Sequence, residues 1–105
     1  MEEITPAELK QRLDKGDDIQ IVDVREDNEV AIGRIPNSIH IPLGQVMARA
    51  SEIDANRETV VHCKMGGRSA KAVKQLVDAG FTRVENLKGG ILDWIDKVDP
   101  TQPKY

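Results

Sequence analysis

One short stretch of the sequence carries side chains that could do chemistry: residues 60–69 read VVHCKMGGRS. A cysteine at the end of an apolar strand, followed by two glycines and then a helix, places its sulfur before several backbone N–H groups and the positive end of that helix. This field, with two cations nearby, favours a thiolate over a thiol. Cys63 is therefore predicted to be a nucleophile, in a substrate-binding loop made of Lys64, Met65, Gly66, Gly67, Arg68 and Ser69.

The spacing between Cys63 and Arg68 bears on which anion the loop would hold. Cysteine phosphatases are recognised by five residues between a cysteine and an arginine, whereas only four intervene here. One residue fewer narrows the ring of backbone amides, so a terminal sulfur atom fits it better than a phosphoryl group. Asp93 and Asp96 are the available acids, but they fall within a predicted helix and are expected on its solvated face. A phosphatase or arsenate reductase remains the less favoured alternative, and a noncatalytic binding module with an incidental Cys63 is another.

The elements that must position this loop can be predicted from local patterns. Thr5-Pro6-Ala7-Glu8 is typical of a capping box with proline at the first helical position, and the helix should end near Lys15-Gly16. β-Branched runs predict strands, and apolar periodicity predicts three further helices. The predicted strands are Ile19–Val24, Ser38–Ile41, Thr59–His62 and Arg83–Leu87. The three further helices are Leu43–Ala50, one from Ser69 that ends at Ala79-Gly80, and one that follows Gly89-Gly90. The apolar face of the second of these is predicted to consist of Ala70, Val73, Leu76 and Val77. Glu26 to Ile32 could form another short helix, between the first two predicted strands.

Strands separated by helices, without hairpin signals, indicate an α/β fold with a parallel sheet covered on both faces. In such a sheet the ligand site lies beyond the carboxyl ends of the strands. Cys63 and Asp23 each end a strand and Arg25 lies just beyond, so Asp23 and Arg25 are predicted to support the site by tying strand ends together. His62 should point to the face opposite Cys63, and we expect it to pack or hydrogen-bond rather than act as a base.

Length and composition limit the classes of function. The 105 residues suit one domain, residues 1–105, with an extended tail at 98–105. The net charge of −3 gives no reason to expect nucleic acid or an anionic membrane as a partner, although Lys64, Arg68, Lys71 and Lys74 form a basic island. No apolar run is long enough to span a bilayer. A single cysteine forms no internal disulfide and does not supply the ligands of a zinc site, so no metal is expected. No cofactor is expected either. The expected setting is the reducing cytoplasm.

Several segments, taken in order, resemble a rhodanese domain from end to end. They are Asp23-Val24-Arg25, Glu29, Gly33-Arg34-Ile35-Pro36-Asn37-Ser38 with Ile41-Pro42, the loop Cys63–Ser69, and Gly89-Gly90 followed by Trp94. Arg34 and Asn37 stand where the family commonly has histidine and glycine. The resemblance implies a parallel sheet of about five strands with helices on both faces. It also implies a sulfurtransferase in which Cys63 attacks the outer sulfur of thiosulfate or a protein persulfide and later gives that sulfur to a thiophilic acceptor.

The same resemblance suggests roles for two cations and for the tail. Arg68 would brace the loop, and it could also form a structural salt bridge to Asp23 or another nearby acid. Lys64 would attract an anionic donor. The tail Val98–Tyr105 is similar to the end of rhodanese domains fused behind ubiquitin-activating-like adenylyltransferases. That similarity implies a ubiquitin-like sulfur-carrier protein as an acceptor and suggests that the chain is such a domain excised from a longer parent.

Overall fold

Five parallel strands form one sheet with helices on both faces, in a computed structural model that describes residues 1–105. This architecture confirms the predicted fold class. The strands are β1 (Glu3–Ile4), β2 (Ile19–Asp23), β3 (Ile39–His40), β4 (Glu58–His62) and β5 (Val84–Leu87), and the helices are α1 (Pro6–Asp14), α2 (Asp27–Val30), α3 (Gly67–Asp78) and α4 (Gly90–Lys97). None of these helices has the length and apolar character needed to cross a membrane.

The strand order is β1-β5-β4-β2-β3, so β4 and β2 lie at the centre of the sheet. In their register Asp23 pairs with His62, the last residues of the two strands. Because all strands are parallel, the residues that follow β2 and β4 emerge at the same edge. The topology therefore brings the segment after Asp23 beside the loop that begins at Cys63.

Each face of the sheet has its own apolar cluster. The face covered by α1 and α4 holds Ile4, Leu9, Ile19, Ile21, Ile35, Val60, Leu87, Ile91, Trp94 and Ile95. The face covered by α3 holds Val22, Val24, Ile41, Val46, Ile53, Val61, Cys63, Ala72, Val73, Leu76 and Val84. Alternation along β4 puts Val60 and His62 on the first face and Val61 and Cys63 on the second, because successive strand residues point to opposite sides.

Local chemistry explains the start of α1. The Thr5 hydroxyl accepts the N–H of Glu8 (3.2 Å), and the Glu8 carboxylate accepts the N–H of Thr5 (3.1 Å), so the predicted capping box is present. These two bonds satisfy donors that the first helical turn would leave free. In the connection before β3, Asn37 adopts a φ of 64°, a conformation that favours glycine or asparagine.

The structure differs from the predictions where local signals were weak. The two-residue strand β1 was not predicted, because its length gives no periodicity to read. Leu43–Ala50 is not an α-helix: 3₁₀ turns at Leu43–Gln45 and Ala50–Glu52 flank irregular turns instead. Gly44 disfavours a helix there, and buried Val46 ties the segment to the sheet.

Two further differences concern α3 and the tail. Helix α3 begins at Gly67 rather than Ser69. Val77 was expected on the buried face of this helix but is 51% exposed, whereas Ala72, which was not expected there, is buried. The buried positions Ser69, Ala72, Val73 and Leu76 follow a helical spacing that leaves Val77 at the rim. The tail is not extended throughout, because the Gln102 N–H bonds to the Asp99 carbonyl (3.2 Å) in a turn.

Candidate active site

The sulfur of Cys63 lies at the carboxyl end of β4 and is almost completely enclosed, with 2% of the residue exposed. The Gly66 N–H donates to Sγ (3.1 Å), and the Ser69 hydroxyl lies 3.3 Å from it. Burial by itself would raise the pKa of the thiol. Hydrogen bonding with the Ser69 hydroxyl and with the N–H groups of Ser69, Gly66 and Met65 outweighs burial and places the pKa below its ordinary value. The surroundings therefore favour a sulfur anion.

The bend of the loop depends on one of its two glycines. Gly66 has a φ of 121°, a conformation that side-chain-bearing residues rarely adopt. Gly67 needs no such freedom, because it begins α3 and a Cβ there would meet nothing within 4 Å. The tight turn thus rests on Gly66, whose own N–H donates to the sulfur.

The start of α4 sets the direction of the first loop amides. The N–H groups of Ile91 and Leu92 donate to the carbonyls of Cys63 (2.9 Å) and Lys64 (3.2 Å). In a planar trans peptide the C=O and the following N–H point in opposite directions, so the N–H groups of Lys64 and Met65 face away from α4. A Cβ on Gly90 would lie 2.6 Å from the Met65 nitrogen and overlap the Lys64 carbonyl. Close contact between α4 and the loop therefore requires glycine at position 90.

Asn86 of β5 is a buried side chain that sequence reasoning missed. Its amide donates to the Gly66 carbonyl (3.2 Å), and its oxygen lies 2.6 Å from the Ser69 hydroxyl, which also contacts the Cys63 sulfur. Asn86 thus fixes both the bend of the loop and one of the groups that contact the sulfur. Asparagine is uncommon within strands. Its position in a predicted strand, two residues before Lys88-Gly89, was the signal that could have identified it as a site residue.

Arg68 pairs with Glu29 of α2. Two parallel bonds join the groups, Nη1 to Oε1 (2.6 Å) and Nη2 to Oε2 (2.9 Å). The Arg68 guanidinium lowers the pKa of Glu29 to about 2. The acid that partners Arg68 is therefore Glu29 rather than Asp23. Attraction to Cys63 also contributes to raising the pKa of Arg68, after the larger effect of Glu29.

Asp23 and Arg25 form a fully buried pair under this brace. The Arg25 Nη2 donates to Asp23 Oδ2 (2.7 Å) and to the Gly33 carbonyl (2.8 Å), and both side chains are 0% exposed. Neither side chain hydrogen-bonds to the loop 63–69. Arg25 instead bonds the Glu29 carbonyl (3.3 Å) and the Tyr105 hydroxyl (2.9 Å), so it connects the end of β2 with the brace.

His62 is buried on the face of the sheet opposite Cys63. Burial lowers its pKa to about 4, so the imidazole is neutral at pH 7 in spite of Asp23 Oδ2 lying 3.7 Å away. Its Nδ1 lies 3.4 Å from the carbonyl of Cys63, not from the sulfur. The imidazole is therefore not placed to take a proton from the thiol.

Lys64 and Met65 form the outer part of the loop. The Met65 side chain is exposed, and the Lys64 ammonium lies 4.7 Å from the centre of the Tyr105 ring. No three His, Cys, Asp or Glu side chains lie close enough together to hold a metal ion. The arrangement is a cysteine whose sulfur is surrounded by N–H donors, with two cations on the same loop. It suits a step in which negative charge resides on sulfur.

Comparison with known proteins identifies the family. The family model described as Rhodanese-like domain matches residues 5–97. A Sulfurtransferase of Allochromatium vinosum is 40% identical over 92 residues, which are 88% of this chain and 86% of that protein. The crystal structure of a Rhodanese-like Domain Protein from Staphylococcus aureus is 38% identical with a TM-score of 0.86, over 93% of this chain and 95% of the other. The chain therefore belongs to the rhodanese-like domain family, which includes proteins named sulfurtransferases.

A longer relative contains the same domain as one part. The Probable adenylyltransferase/sulfurtransferase MoeZ of Mycobacterium tuberculosis is 34% identical over 104 residues, which cover 97% of this chain and 26% of that protein. The chain is thus also homologous to the rhodanese domain of an adenylyltransferase/sulfurtransferase.

Proposed function

We propose that the protein is a rhodanese-type sulfurtransferase that carries a sulfane sulfur as a persulfide on Cys63. The observation that carries the proposal is the Cys63 sulfur with the Gly66 N–H at 3.1 Å and a lowered pKa. A thiolate at neutral pH is the nucleophile that sulfur transfer needs. Membership of a family with relatives named sulfurtransferases supports the same chemistry.

In the first half of the reaction the Cys63 thiolate attacks the outer sulfur of thiosulfate. A new S–S bond forms on Cys63, the S–S bond of thiosulfate breaks, and sulfite leaves with the electron pair. The negative charge then lies on the outer sulfur of the persulfide. The loop N–H groups stabilise this charge as they stabilise that of the thiolate. The same donors therefore serve the anionic sulfur before and after the transfer. Lys64 attracts the dianionic donor.

In the second half an external thiophile removes the outer sulfur. Its electron pair forms a bond to that sulfur, the persulfide S–S bond breaks, and the Cys63 thiolate is restored. Cys63 is the only cysteine, so no second thiol of this chain can resolve the persulfide. The acceptor therefore lies outside these 105 residues, in another molecule or in a neighbouring domain.

A ubiquitin-like sulfur-carrier protein is the acceptor we propose. The name of the M. tuberculosis relative joins an adenylyltransferase to a sulfurtransferase, and this pairing supports a protein acceptor with an activated C-terminus. With an adenylated carrier, the outer sulfur of the persulfide is expected to attack the activated carbonyl, so that AMP leaves and an acyl disulfide forms between the carrier and Cys63. An added thiol should then cleave the S–S bond of that acyl disulfide and release the carrier as a thiocarboxylate, measured by its intact mass. An unchanged carrier alongside normal transfer to cyanide would restrict the proposal to small acceptors.

Steady-state turnover tests the catalytic proposal. With thiosulfate and cyanide the protein should release thiocyanate, and Cys63→Ser should release none. Cys63-dependent hydrolysis of an aryl phosphate without thiocyanate release would instead favour a phosphatase. Neither activity, together with a Cys63 pKa at its ordinary value, would favour a noncatalytic binding module.

A further inference from the structure

The tail Val98–Tyr105 lies outside the residues that the family model matches, and it returns to the site. After the turn at Asp99, the Gln102 amide donates to the Arg34 carbonyl (2.9 Å), which anchors the tail across the connection before β3. Tyr105 then packs at the margin of the apolar cluster beneath α1 and α4. The tail therefore delivers one aromatic side chain to the edge of the sheet where Cys63 lies.

Two side chains fix the orientation of the Tyr105 ring. Its hydroxyl accepts a hydrogen bond from Arg25 Nη1 (2.9 Å) and donates one to Glu29 Oε2 (3.0 Å). Both partners are themselves held, Arg25 by buried Asp23 and Glu29 by Arg68. The ring is thus attached to the brace of the loop at its polar end, and its face contacts the Arg25 guanidinium, whose central carbon lies 5.5 Å from the ring centre, and one other group.

That other contact is with the first cation of the loop. The Lys64 ammonium lies 4.7 Å from the ring centre, within the range in which a cation is attracted to an aromatic face. Lys64 makes no salt bridge to any carboxylate, unlike Lys10, Lys97 and Lys104. A carboxylate would position the ammonium but cancel its field. A neutral ring positions it and leaves the full positive charge to act on an anion.

We propose that Tyr105 is a positioning residue that holds the Lys64 ammonium beside the Cys63 loop and so gives the site its preference for anionic sulfur donors. The preference for sulfur donors rests on the proposed function. The electrostatic part does not, because an anionic reagent of any kind that reaches Cys63 would sense the same charge.

Alkylation of Cys63 reads this charge without requiring sulfur transfer. Cys63 is the only thiol, so the rate ratio of anionic iodoacetate to neutral iodoacetamide reports the local potential and cancels changes in thiol reactivity. Tyr105→Gln keeps a polar end but removes the ring, and should lower the ratio roughly 2- to 5-fold, the range of an exposed cation–π contact. Tyr105→Phe keeps the ring but loses the two hydroxyl bonds that orient it, and should lower the ratio less than Tyr105→Gln does. Lys104→Ala, next in the tail and in an exposed pair, is the matched control.

A double-mutant cycle decides whether Tyr105 acts through Lys64. In a Lys64→Ala background, Tyr105→Gln should produce no further fall in the ratio. An equal fall in both backgrounds, or an unchanged ratio in Tyr105→Gln itself, would overturn the proposal. Thermal unfolding checks that each variant is folded, and Tyr105→Leu replaces the glutamine variant if that one is not.

Thiosulfate kinetics provide the functional arm. The KM for thiosulfate should rise in Tyr105→Gln by about the square of the factor by which the alkylation ratio falls, because thiosulfate carries two negative charges and iodoacetate one, while kcat stays unchanged. A fall in kcat at constant KM would contradict the role in donor binding. If neither the unmodified protein nor any variant releases thiocyanate, the proposed function is wrong. The alkylation ratios would still confirm or refute the role of Tyr105.

Discussion

Replacing Glu29 with glutamine should destabilise the fold at neutral pH and should matter progressively less in acid. Glu29 accepts two bonds from Arg68, one from the Tyr105 hydroxyl and one from the backbone N–H of Glu26. Glutamine has nearly the same shape but no charge. Its NH₂ group would face N–H or O–H donors of Arg68 and Tyr105 that a carboxylate oxygen of Glu29 accepts. The substitution therefore removes the centre of the brace that connects α2, the loop and the tail.

The pKa of Glu29 sets the size of the effect. Its ordinary value is 4.5 and its value in the folded protein is about 2. At about 1.4 kcal/mol for each tenfold change in proton affinity, this difference corresponds to about 3 kcal/mol of stability at neutral pH. Because 35% of the Arg68 side chain is exposed, solvent screening reduces the contribution. We expect Glu29→Gln to lower the free energy of unfolding by about 1–2 kcal/mol.

The sign of the pH dependence follows from the same values. A carboxylate with a lowered pKa stabilises the folded state above its ordinary pKa of 4.5, and this stabilisation is lost as the pH falls toward 2. The difference between the two proteins should therefore be constant from pH 7 to pH 5 and shrink below that. Urea unfolding followed by Trp94 fluorescence measures it, since Trp94 is the only tryptophan and is buried.

Glu52→Gln is the matched control. Glu52 also makes a two-bond pair, with Arg49 (2.8 and 3.0 Å), but its side chain is 48% exposed and touches no part of the loop. We expect a much smaller loss in that variant. Equal losses in the two variants, or a Glu29→Gln difference that does not shrink in acid, would refute the role assigned to the brace.

Two further predictions concern the loop itself. Ser69→Ala should raise the pKa of Cys63 and slow its alkylation by iodoacetamide at neutral pH, with Ser38→Ala, another buried serine, as the control; an unchanged pH profile would mean that the hydroxyl does not stabilise the thiolate. Gly90→Ala should lower the free energy of unfolding by about 1–3 kcal/mol because its Cβ overlaps the loop backbone, whereas Gly67→Ala should be tolerated; similar urea midpoints for both variants would contradict this contrast.

Sequence patterns predicted the elements that local chemistry determines. The capping box at Thr5 and the β-branched runs of β2 and β4 specify their structures through neighbours a few residues away. The placement of Cys63 at a strand end also followed, because parallel strands separated by helices put their carboxyl ends at one edge. The order of the strands did not follow, since nothing local records which strand lies beside which.

The contacts that complete the candidate site were missed because they are distant in sequence. Glu29 and Arg68 are 39 residues apart, and Tyr105 and Arg25 are 80 apart. The resemblance included Glu29 without a role, and the tail was expected to be extended. Asn86 is an uncommon strand residue, but only the fold shows that its amide lies against Gly66 and Ser69. Such pairings are set by tertiary packing rather than by periodicity.

The central claim is that Cys63 takes up and holds one sulfur atom, and intact mass spectrometry tests it most directly. After incubation with thiosulfate and removal of excess reagent, the protein should gain the mass of one sulfur, lose it on addition of cyanide, and show no gain in Cys63→Ser. A mass that stays unchanged with thiosulfate and with a protein persulfide, while iodoacetamide still alkylates Cys63, would contradict the account.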